Sequence, residues 1–256
     1  MGLGISPTEQ QVYKQFYKTK VLIIEDVSPF LKDYRKAVLA LNGLSSKQYA
    51  KKIKRGLYSL IPFEESPDTE DKFSPDKILV ANKFTSNSFL SHHTALEVHG
   101  AADKEMYAVF ITTANRVPSL VYKGVKYLCI KTEHFFGFEQ VEYSGCTINV
   151  SDKERTIIDC LRNINYGYGF DEIKRAVPKL APFDFEKMFS YLKKINEVSL
   201  FARVGYTFSF LKTEAAAPDW FLDRCRSSLT NRTYYLDITK KGNSRHFREW
   251  KLMVPL

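Results

Sequence analysis

The stretch YRKAVLALNGLSSKQYAKKIKRGLYSLIP, residues 34–62, decides the predicted fold of the N-terminal region. Four apolar or aromatic residues recur at spacings of three and four and therefore share one face of a predicted helix: Leu31, Tyr34, Val38 and Leu41. The Asn42-Gly43 pair is expected to end this helix, because glycine readily adopts the left-handed conformation of a helix C-terminus. The strand-like run 57–61 follows after Gly56, which is expected to occupy a tight hairpin position.

Basic residues accompany both predicted elements: Lys32, Arg35, Lys36, Lys51, Lys52, Lys54 and Arg55. The first three lie on the helix side opposite the apolar face, and the other four precede the strand-like run. A basic helix followed by a basic hairpin is typical of a winged helix-turn-helix, in which the helix enters the major groove and the hairpin contacts the backbone. The sequence therefore predicts that these seven residues bind double-stranded DNA. The alternative is a solvated charged face beside an ordinary hairpin.

The net charge of +9 is distributed unevenly along the 256 residues. Residues 1–62 contain 11 Lys/Arg and 4 Asp/Glu, residues 200–256 contain 10 and 5, and the middle of the chain is slightly acidic. A basic module on a slightly acidic body is typical of a nucleic-acid-binding protein. An anionic membrane surface is the competing partner. We expect no membrane partner, because the sequence contains neither an apolar run of roughly 18 residues nor a signal-peptide core.

The length and composition favour two domains of fold class α+β. Residues 63–75 are acidic, contain two prolines and are predicted to form a linker. The linker separates the winged helix-turn-helix, residues 1–62, from a second domain of mixed α and β structure, residues 76–256. Runs rich in Val, Ile, Tyr and Phe predict strands in the second domain, and they alternate with amphipathic helical segments.

Several element boundaries can be predicted from capping and breaking residues. Thr8 is expected to cap a helix from Glu9 to about Lys20, and Pro29 is expected to limit a short second helix that begins at Glu25. Other expectations in the N-terminal region and the second domain are a strand at 21–24, a helix led by Ser74-Pro75, a helix that begins at Ser88 or Ser91, a capping box at Ser151-x-x-Glu154, helices at 170–179, 185–196 and 218–229, a strand at 206–211, and a closing strand pair at 232–238 and 249–254.

The candidate chemical groups do not form a recognisable catalytic or metal-binding pattern. The histidines 92, 93 and 99 lack zinc-ligand spacing, and Arg155 with Asp159 is expected to form a surface or interdomain salt bridge. The sequence contains neither a Gly-rich phosphate loop nor a GxSxG elbow. We therefore expect no enzyme activity, cofactor or metal. The enzymatic alternative is a metal-dependent nuclease or nucleotidyl-modifying enzyme with a DNA-targeting module.

The remaining polar and aromatic features have ordinary interpretations. Four cysteines without CxxC spacing indicate buried or free thiols in a reducing cytoplasm: Cys129, Cys146, Cys160 and Cys225. The run Phe135–Phe138 and the aromatic residues of 201–210 could stack nucleobases. Aromatic residues in such segments are more often part of the core, so core packing is the preferred interpretation.

The order and spacing of several segments resemble one family over nearly the whole chain. The segments are IKRGLYSLIP, ILVANKF followed by SFLSHHTALEVHG, FITTANR, YKGVKY, VSDKERTIIDCL and RVGYTFSFL. Together they resemble the AbiEi family, the antitoxin and transcriptional regulator of the AbiE abortive-infection toxin–antitoxin systems. Within them, Glu154, Arg155, Thr156 and Asp159 match an ERT-x-x-D helix, and Arg203, Gly205 and Tyr206 match an Arg-x-Gly-Tyr segment.

This resemblance implies a DNA-binding N-terminal winged helix joined to a C-terminal antitoxin domain. It further implies repression of the chain's own operon and neutralisation of a co-encoded nucleotidyltransferase-like toxin, AbiEii, with direct toxin contact left open. A stand-alone transcriptional regulator is the remaining alternative of the non-enzymatic kind.

Overall fold

The structure, a computed structural model, describes residues 4–62, 73–240 and 242–256. Most of the predicted linker at 63–75 lies outside the described residues. The described parts contain an N-terminal unit of helices and a small sheet, a six-stranded sheet, and a helical layer with a second small sheet. This arrangement confirms the predicted mixed α+β class.

The N-terminal unit alternates helices with the strands of a three-stranded antiparallel sheet. Its elements are α1 (Pro7–Phe16), β1 (Val21–Ile23), α2 (Ile24–Leu31), α3 (Tyr34–Ser46), β2 (Ala50–Lys54) and β3 (Leu57–Leu60). The strand order is β1-β3-β2. The turn Arg55-Gly56 joins β2 to β3, and Gly56 has a φ of 83°, which glycine adopts without steric cost. The predicted first strand and hairpin are therefore present.

Helix α1 begins and ends earlier than predicted, and its cap is Ser6 rather than Thr8. The Ser6 hydroxyl accepts a hydrogen bond from Glu9 N, while the Glu9 carboxylate accepts one from Ser6 N. This reciprocal capping box satisfies two backbone donors of the first turn, and Pro7 suits the first helical position. The regular helix ends at Phe16 instead of Lys20.

Helix α3 passes through the Asn42-Gly43 pair that was predicted to end it. Asp33 caps the helix by accepting a hydrogen bond from Lys36 N at 3.0 Å. Gly43 serves close packing instead, because a Cβ at this position would overlap the Glu9 carboxylate of α1. Lys47 Nζ lies 2.7 Å from Glu9 Oε2 and neutralises that carboxylate at the end of α3. Glycine is therefore needed here for the approach of α1.

The buried face of α3 also differs from the predicted one. Tyr34 is 57% exposed, whereas it was expected to face inward. The fully buried positions of α3 are Ala37, Ala40, Leu41 and Leu44. Helix α2 extends two residues beyond Pro29, and it ends where Lys32 adopts a left-handed conformation with a φ of 53°.

The second unit begins with a six-stranded mixed sheet and two short helices. Its elements are α4 (Lys77–Asn82), β4 (Ser88–Leu90), α5 (His92–Val98), β5 (Ala108–Thr113), β6 (Leu120–Tyr122), β7 (Val125–Lys131), β8 (Phe138–Tyr143) and β9 (Cys146–Ser151). The strand order is β6-β7-β5-β4-β9-β8, with β5/β7 and β4/β9 parallel. Strands β4 and β8 were not predicted. The cap of α4 is Asp76, which accepts from Ile78 N, and not Ser74.

Helices and a three-stranded sheet complete the fold. The elements are α6 (Lys153–Arg162), α7 (Phe170–Leu180), α8 (Phe185–Ile195), α9 (Val198–Phe210), α10 (Lys212–Ala215), α11 (Asp219–Ser227), β10 (Tyr234–Tyr235), β11 (Ser244–Phe247) and β12 (Leu252–Pro255).

The predicted strand at 206–211 is wrong, because most of these residues belong to α9. The Trp250 ring packs so closely on Gly205 that any Cβ there would overlap it. The predicted capping box is also wrong, since the cap of α6 is Asp152, which accepts from Arg155 N.

Arg155 lies at the junction between α6 and the segment that connects β7 to β8. The salt bridge with Asp159, predicted to be a surface or interdomain pair, is instead buried within one helix: the Arg155 side chain is 1% exposed, and its Nε lies 2.8 Å from Asp159 Oδ1. The Arg155 Nη1 atom donates to the carbonyl oxygens of His134 and Phe136 at 3.0 and 3.1 Å. Burial lowers the pKa of the nearby His92 imidazole to about 4. Arg155, rather than an imidazolium, therefore neutralises Asp159 at physiological pH.

Replacement of Arg155 tests the importance of this buried junction. We expect Arg155→Ala to lower the free energy of unfolding by about 3–5 kcal/mol, because Asp159 would remain buried without its cation. The matched control is Arg162→Ala on the same helix, where the partly exposed pair with Glu197 should contribute less than about 1 kcal/mol. Urea unfolding measures both. Equal losses in the two variants would contradict this interpretation.

Candidate nucleic-acid interface

One face of α3 is exposed to solvent. Its residues recur at helical spacing: Arg35, Leu39, Asn42 and Ser46. Leu39 is 70% exposed, which is unusual for leucine beside a well-packed core. Asn42 Oδ1 accepts a hydrogen bond from the Tyr58 hydroxyl at 2.9 Å, so β3 orients this amide. The face combines a guanidinium, an amide and an apolar side chain, which are the three side-chain types that contact base edges in the major groove.

Five of the seven predicted DNA-binding residues are exposed: Lys32, Arg35, Lys36, Lys52 and Arg55. Within the part of the chain that the structure describes, none of the five forms a salt bridge. Arg35 and Lys36 belong to the first turn of α3, Lys32 directly follows α2, and Arg55 is in the turn of the hairpin. Their charges are therefore available to an anionic partner.

The two groups of exposed cations are located at opposite ends of α2. At one end, Ile24 N donates to Gly56 O at 3.2 Å, which places the hairpin turn beside the first residue of the helix. At the other end, Lys32 connects α2 to α3. Eight residues of α-helix span about 12 Å, a distance comparable to the width of the major groove.

The remaining two predicted residues, Lys51 and Lys54, differ from these five. Lys54 Nζ donates to Phe84 O at 2.6 Å and lies 3.7 Å from the centre of the Phe84 ring. Burial lowers the pKa of Lys54. Lys51 is half-buried. Lys54 is thus directed toward the second unit. The basic run in the sequence does not reveal which of its lysines contacts another part of the chain, as Lys54 contacts Phe84.

The hairpin also shares a hydrophobic core with the second unit. Val21, Ile53 and Leu57 pack in the same buried cluster as residues of α4 and the six-stranded sheet. The adjacent ion pair joins Lys83 Nζ to Asp26 Oδ1 at 2.8 Å. Ile53 stands between Lys52 and Lys54 and is one of the two buried residues of β2. The sequence did not indicate that Ile53 would be covered by the second unit.

The metal ligands, cysteines and histidines considered in the sequence can also be located in the structure. Among the described residues, no group of three or more His, Cys, Asp or Glu side chains is arranged to hold a metal ion. All four cysteines are free thiols, as expected. Of the helices that the structure describes, none is both long and apolar enough to cross a membrane. His92 and His93 are buried in the core.

Lys52 and Lys54 have equal charge but different environments, so replacing each one separates DNA contact from stability. We expect Lys52→Ala to make the salt dependence of duplex binding shallower by about 0.9, the value for one lost phosphate contact, without changing stability. Lys54→Ala should lower the free energy of unfolding by about 1–2 kcal/mol, because it loses the hydrogen bond and ring contact with Phe84. Fluorescence anisotropy in a salt series and urea unfolding provide the two measurements. A reversed pattern would contradict the assignment.

Comparisons with known proteins give information on the fold. No protein-family model and no curated protein matches the sequence. Among solved structures, the chain is similar to the crystal structure of the RV2827C protein from Mycobacterium tuberculosis, with a TM-score of 0.65 and 13% sequence identity. The similarity covers 98% of this chain and 92% of that chain. At this level of identity, the comparison shows that the two chains share a fold over nearly their full lengths.

Proposed function

We propose that the chain is a DNA-binding transcriptional regulator and that its N-terminal unit is a winged helix-turn-helix. The order of α1, β1, α2, α3, β2 and β3, with a β1-β3-β2 sheet, supports this proposal. Helices α2 and α3 would form the helix-turn-helix, and the β2-β3 hairpin would form the wing. The observation that carries the proposal is the exposed, unpaired set of cations on α3 and the hairpin.

In this proposal α3 is the recognition helix. Arg35 would donate two hydrogen bonds to a guanine, and Leu39 would contact a thymine methyl group. Lys32 and Lys36 would contact phosphates beside the groove, while Lys52 and Arg55 would contact the backbone from the hairpin. The shared core with the second unit would hold the hairpin at a fixed angle to α3, so both contacts would form on one DNA surface.

We further propose that the regulator represses its own operon in the cytoplasm and acts as an antitoxin. The resemblance to the AbiEi family supports this part of the proposal, with an AbiEii-like nucleotidyltransferase toxin as the protein partner. The residues that carry the resemblance in the second unit have structural contacts. Glu154 Oε1 accepts from Asp184 N, and Arg203 donates to the carbonyl oxygens of Leu161 and Tyr235. Antitoxin contacts are therefore expected on other, exposed residues.

Binding of the protein to its own upstream DNA tests the regulator. We expect the native duplex to bind more tightly than a scrambled duplex, and log affinity to fall with log salt at a slope of roughly −4 to −5. Arg35→Ala should reduce the discrimination between single base substitutions at one position by about 1–3 kcal/mol. Fluorescence anisotropy measures both quantities.

Lys104→Ala provides the control for this experiment, because Lys104 is an exposed cation on the second unit. It should leave the affinity, the salt slope and the sequence preference unchanged. Equal and weak binding of both duplexes, with no effect of Arg35→Ala, would refute sequence-specific recognition by α3.

Co-expression tests the antitoxin role separately. The open reading frame beside the gene would be induced alone and together with this chain, and growth would be recorded. We expect growth arrest only in the absence of this chain. A variant with Arg35→Ala, Lys52→Ala and Arg55→Ala should still restore growth, because neutralisation is assigned to the second unit. A harmless neighbour would favour a stand-alone regulator.

A further inference from the structure

A cleft lies between α7, α9 and the closing sheet, on the second unit. Its volume is about 570 Å³, within the range of sites that bind small molecules. Five aromatic side chains line it: Tyr168, Phe170, Tyr206, Phe210 and Phe247. Phe210 lines the cleft and is 59% exposed, so an apolar ring faces solvent at this position. The cleft uses none of the residues assigned to DNA binding.

Tyr206 is at the centre of this aromatic group. Its ring centre lies 4.8 Å from that of Phe247, 5.9 Å from that of Phe170 and 6.3 Å from that of Phe210. The Phe170 and Phe210 rings are inclined to Tyr206 by only 30° and 32°. These three rings are therefore not far from parallel. Because the Phe210 ring is exposed, a further flat ring can stack on it.

Cations surround the aromatic residues. Lys174 Nζ lies 5.3 Å from the centre of the Phe170 ring and 5.7 Å from that of Phe210, and it forms a 2.7 Å salt bridge with Asp171. Lys240 and Arg245 also line the cleft. Both are exposed, and neither forms a salt bridge within the residues that the structure describes. The cleft therefore has two cations that are free to bind an anion.

The two side-chain carboxylates of the cleft already have partners. Asp171 is paired with Lys174, and the pKa of Asp171 is lowered by its hydrogen bond to that lysine. Asp237 Oδ1 accepts hydrogen bonds from the backbone N and the hydroxyl of Thr239 at 2.9 and 2.6 Å. Lys240 also helps to lower the pKa of Asp171, but neither carboxylate forms a salt bridge with Lys240 or Arg245, so both cations can attract a further anionic group.

We propose that this cleft binds a nucleotide, with the base stacked on Phe210 and the phosphate bound by Lys240 and Arg245. A flat aromatic group joined to an anion satisfies both features of the cleft, whereas a simple anion would leave the aromatic faces unused. The nucleotide comes either from single-stranded nucleic acid or from a free mononucleotide. Either source is distinct from the duplex DNA assigned to the N-terminal unit.

The test uses the full chain with two probes, a fluorescein-labelled oligothymidylate of about ten nucleotides and ADP. Binding is measured by anisotropy and by calorimetry, respectively. We expect Phe210→Ala and Arg245→Ala each to weaken binding of at least one probe about tenfold, the effect of losing a stacking platform or a phosphate contact. Both residues are exposed or half-exposed at the mouth, and circular dichroism verifies that the variants fold.

Matched controls distinguish the cleft from general effects of charge and aromatic content. Arg232→Ala removes an equally exposed cation, and Tyr107→Ala removes an aromatic ring that is 80% exposed elsewhere on the second unit. Neither should change binding. Arg55→Ala should weaken duplex binding. It should not weaken binding of the probe, oligothymidylate or ADP, whose binding the cleft variants weaken. A failure of the proposed DNA-binding function can therefore be distinguished from a failure of the proposed nucleotide site.

Three outcomes follow from these measurements. Binding of the oligothymidylate alone, lost in the cleft variants, identifies single-stranded nucleic acid as the source. Binding of ADP, with the same sensitivity, identifies a free nucleotide. If neither probe binds, or if binding is lost in Arg55→Ala and kept in Phe210→Ala and Arg245→Ala, the proposal is overturned.

Discussion

The buried guanidinium of Arg155 is the contact on which the second unit depends. It neutralises Asp159 on its own helix, α6, and it donates to two carbonyl oxygens in the segment between β7 and β8. A single side chain thereby fixes the helical layer against the edge of the six-stranded sheet. Unpaired charges and carbonyl groups are costly inside a protein. Removing either Arg155 or Asp159 would therefore leave the other charge buried without a partner. The helices are thereby linked to the six-stranded sheet, against which the N-terminal unit packs.

The N-terminal unit is joined to this base through its own sheet. Val21, Ile53 and Leu57 complete a core cluster of the second unit, and Lys54 contacts Phe84 at the border. Hydrophobic burial across such a border opposes rotation of one unit relative to the other.

Local patterns predicted much of the fold, and long-range contacts explain most of the errors. The basic residues before Gly56 and the strand-like run 57–61 indicated the hairpin, and most of the helices and strands of the second unit lie near their predicted positions. Gly43 was predicted to end α3, but it permits close packing with the distant residue Glu9, and Gly205 likewise permits α9 to pack closely on Trp250 where a strand was predicted at 206–211. The exposed cations of the candidate interface could be predicted from the basic residues of the sequence. The hydrogen bond of Lys54 to Phe84 could not, because it depends on tertiary packing.

Hydrogen–deuterium exchange of the full chain, with and without its own upstream duplex, tests the central claim most directly. We expect the duplex to slow exchange in α3 and in the β2-β3 hairpin, and a scrambled duplex at equal concentration to do so much less. Protection confined to the second unit, with residues 34–60 unchanged, would contradict the claim that α3 and the hairpin form the DNA-binding surface.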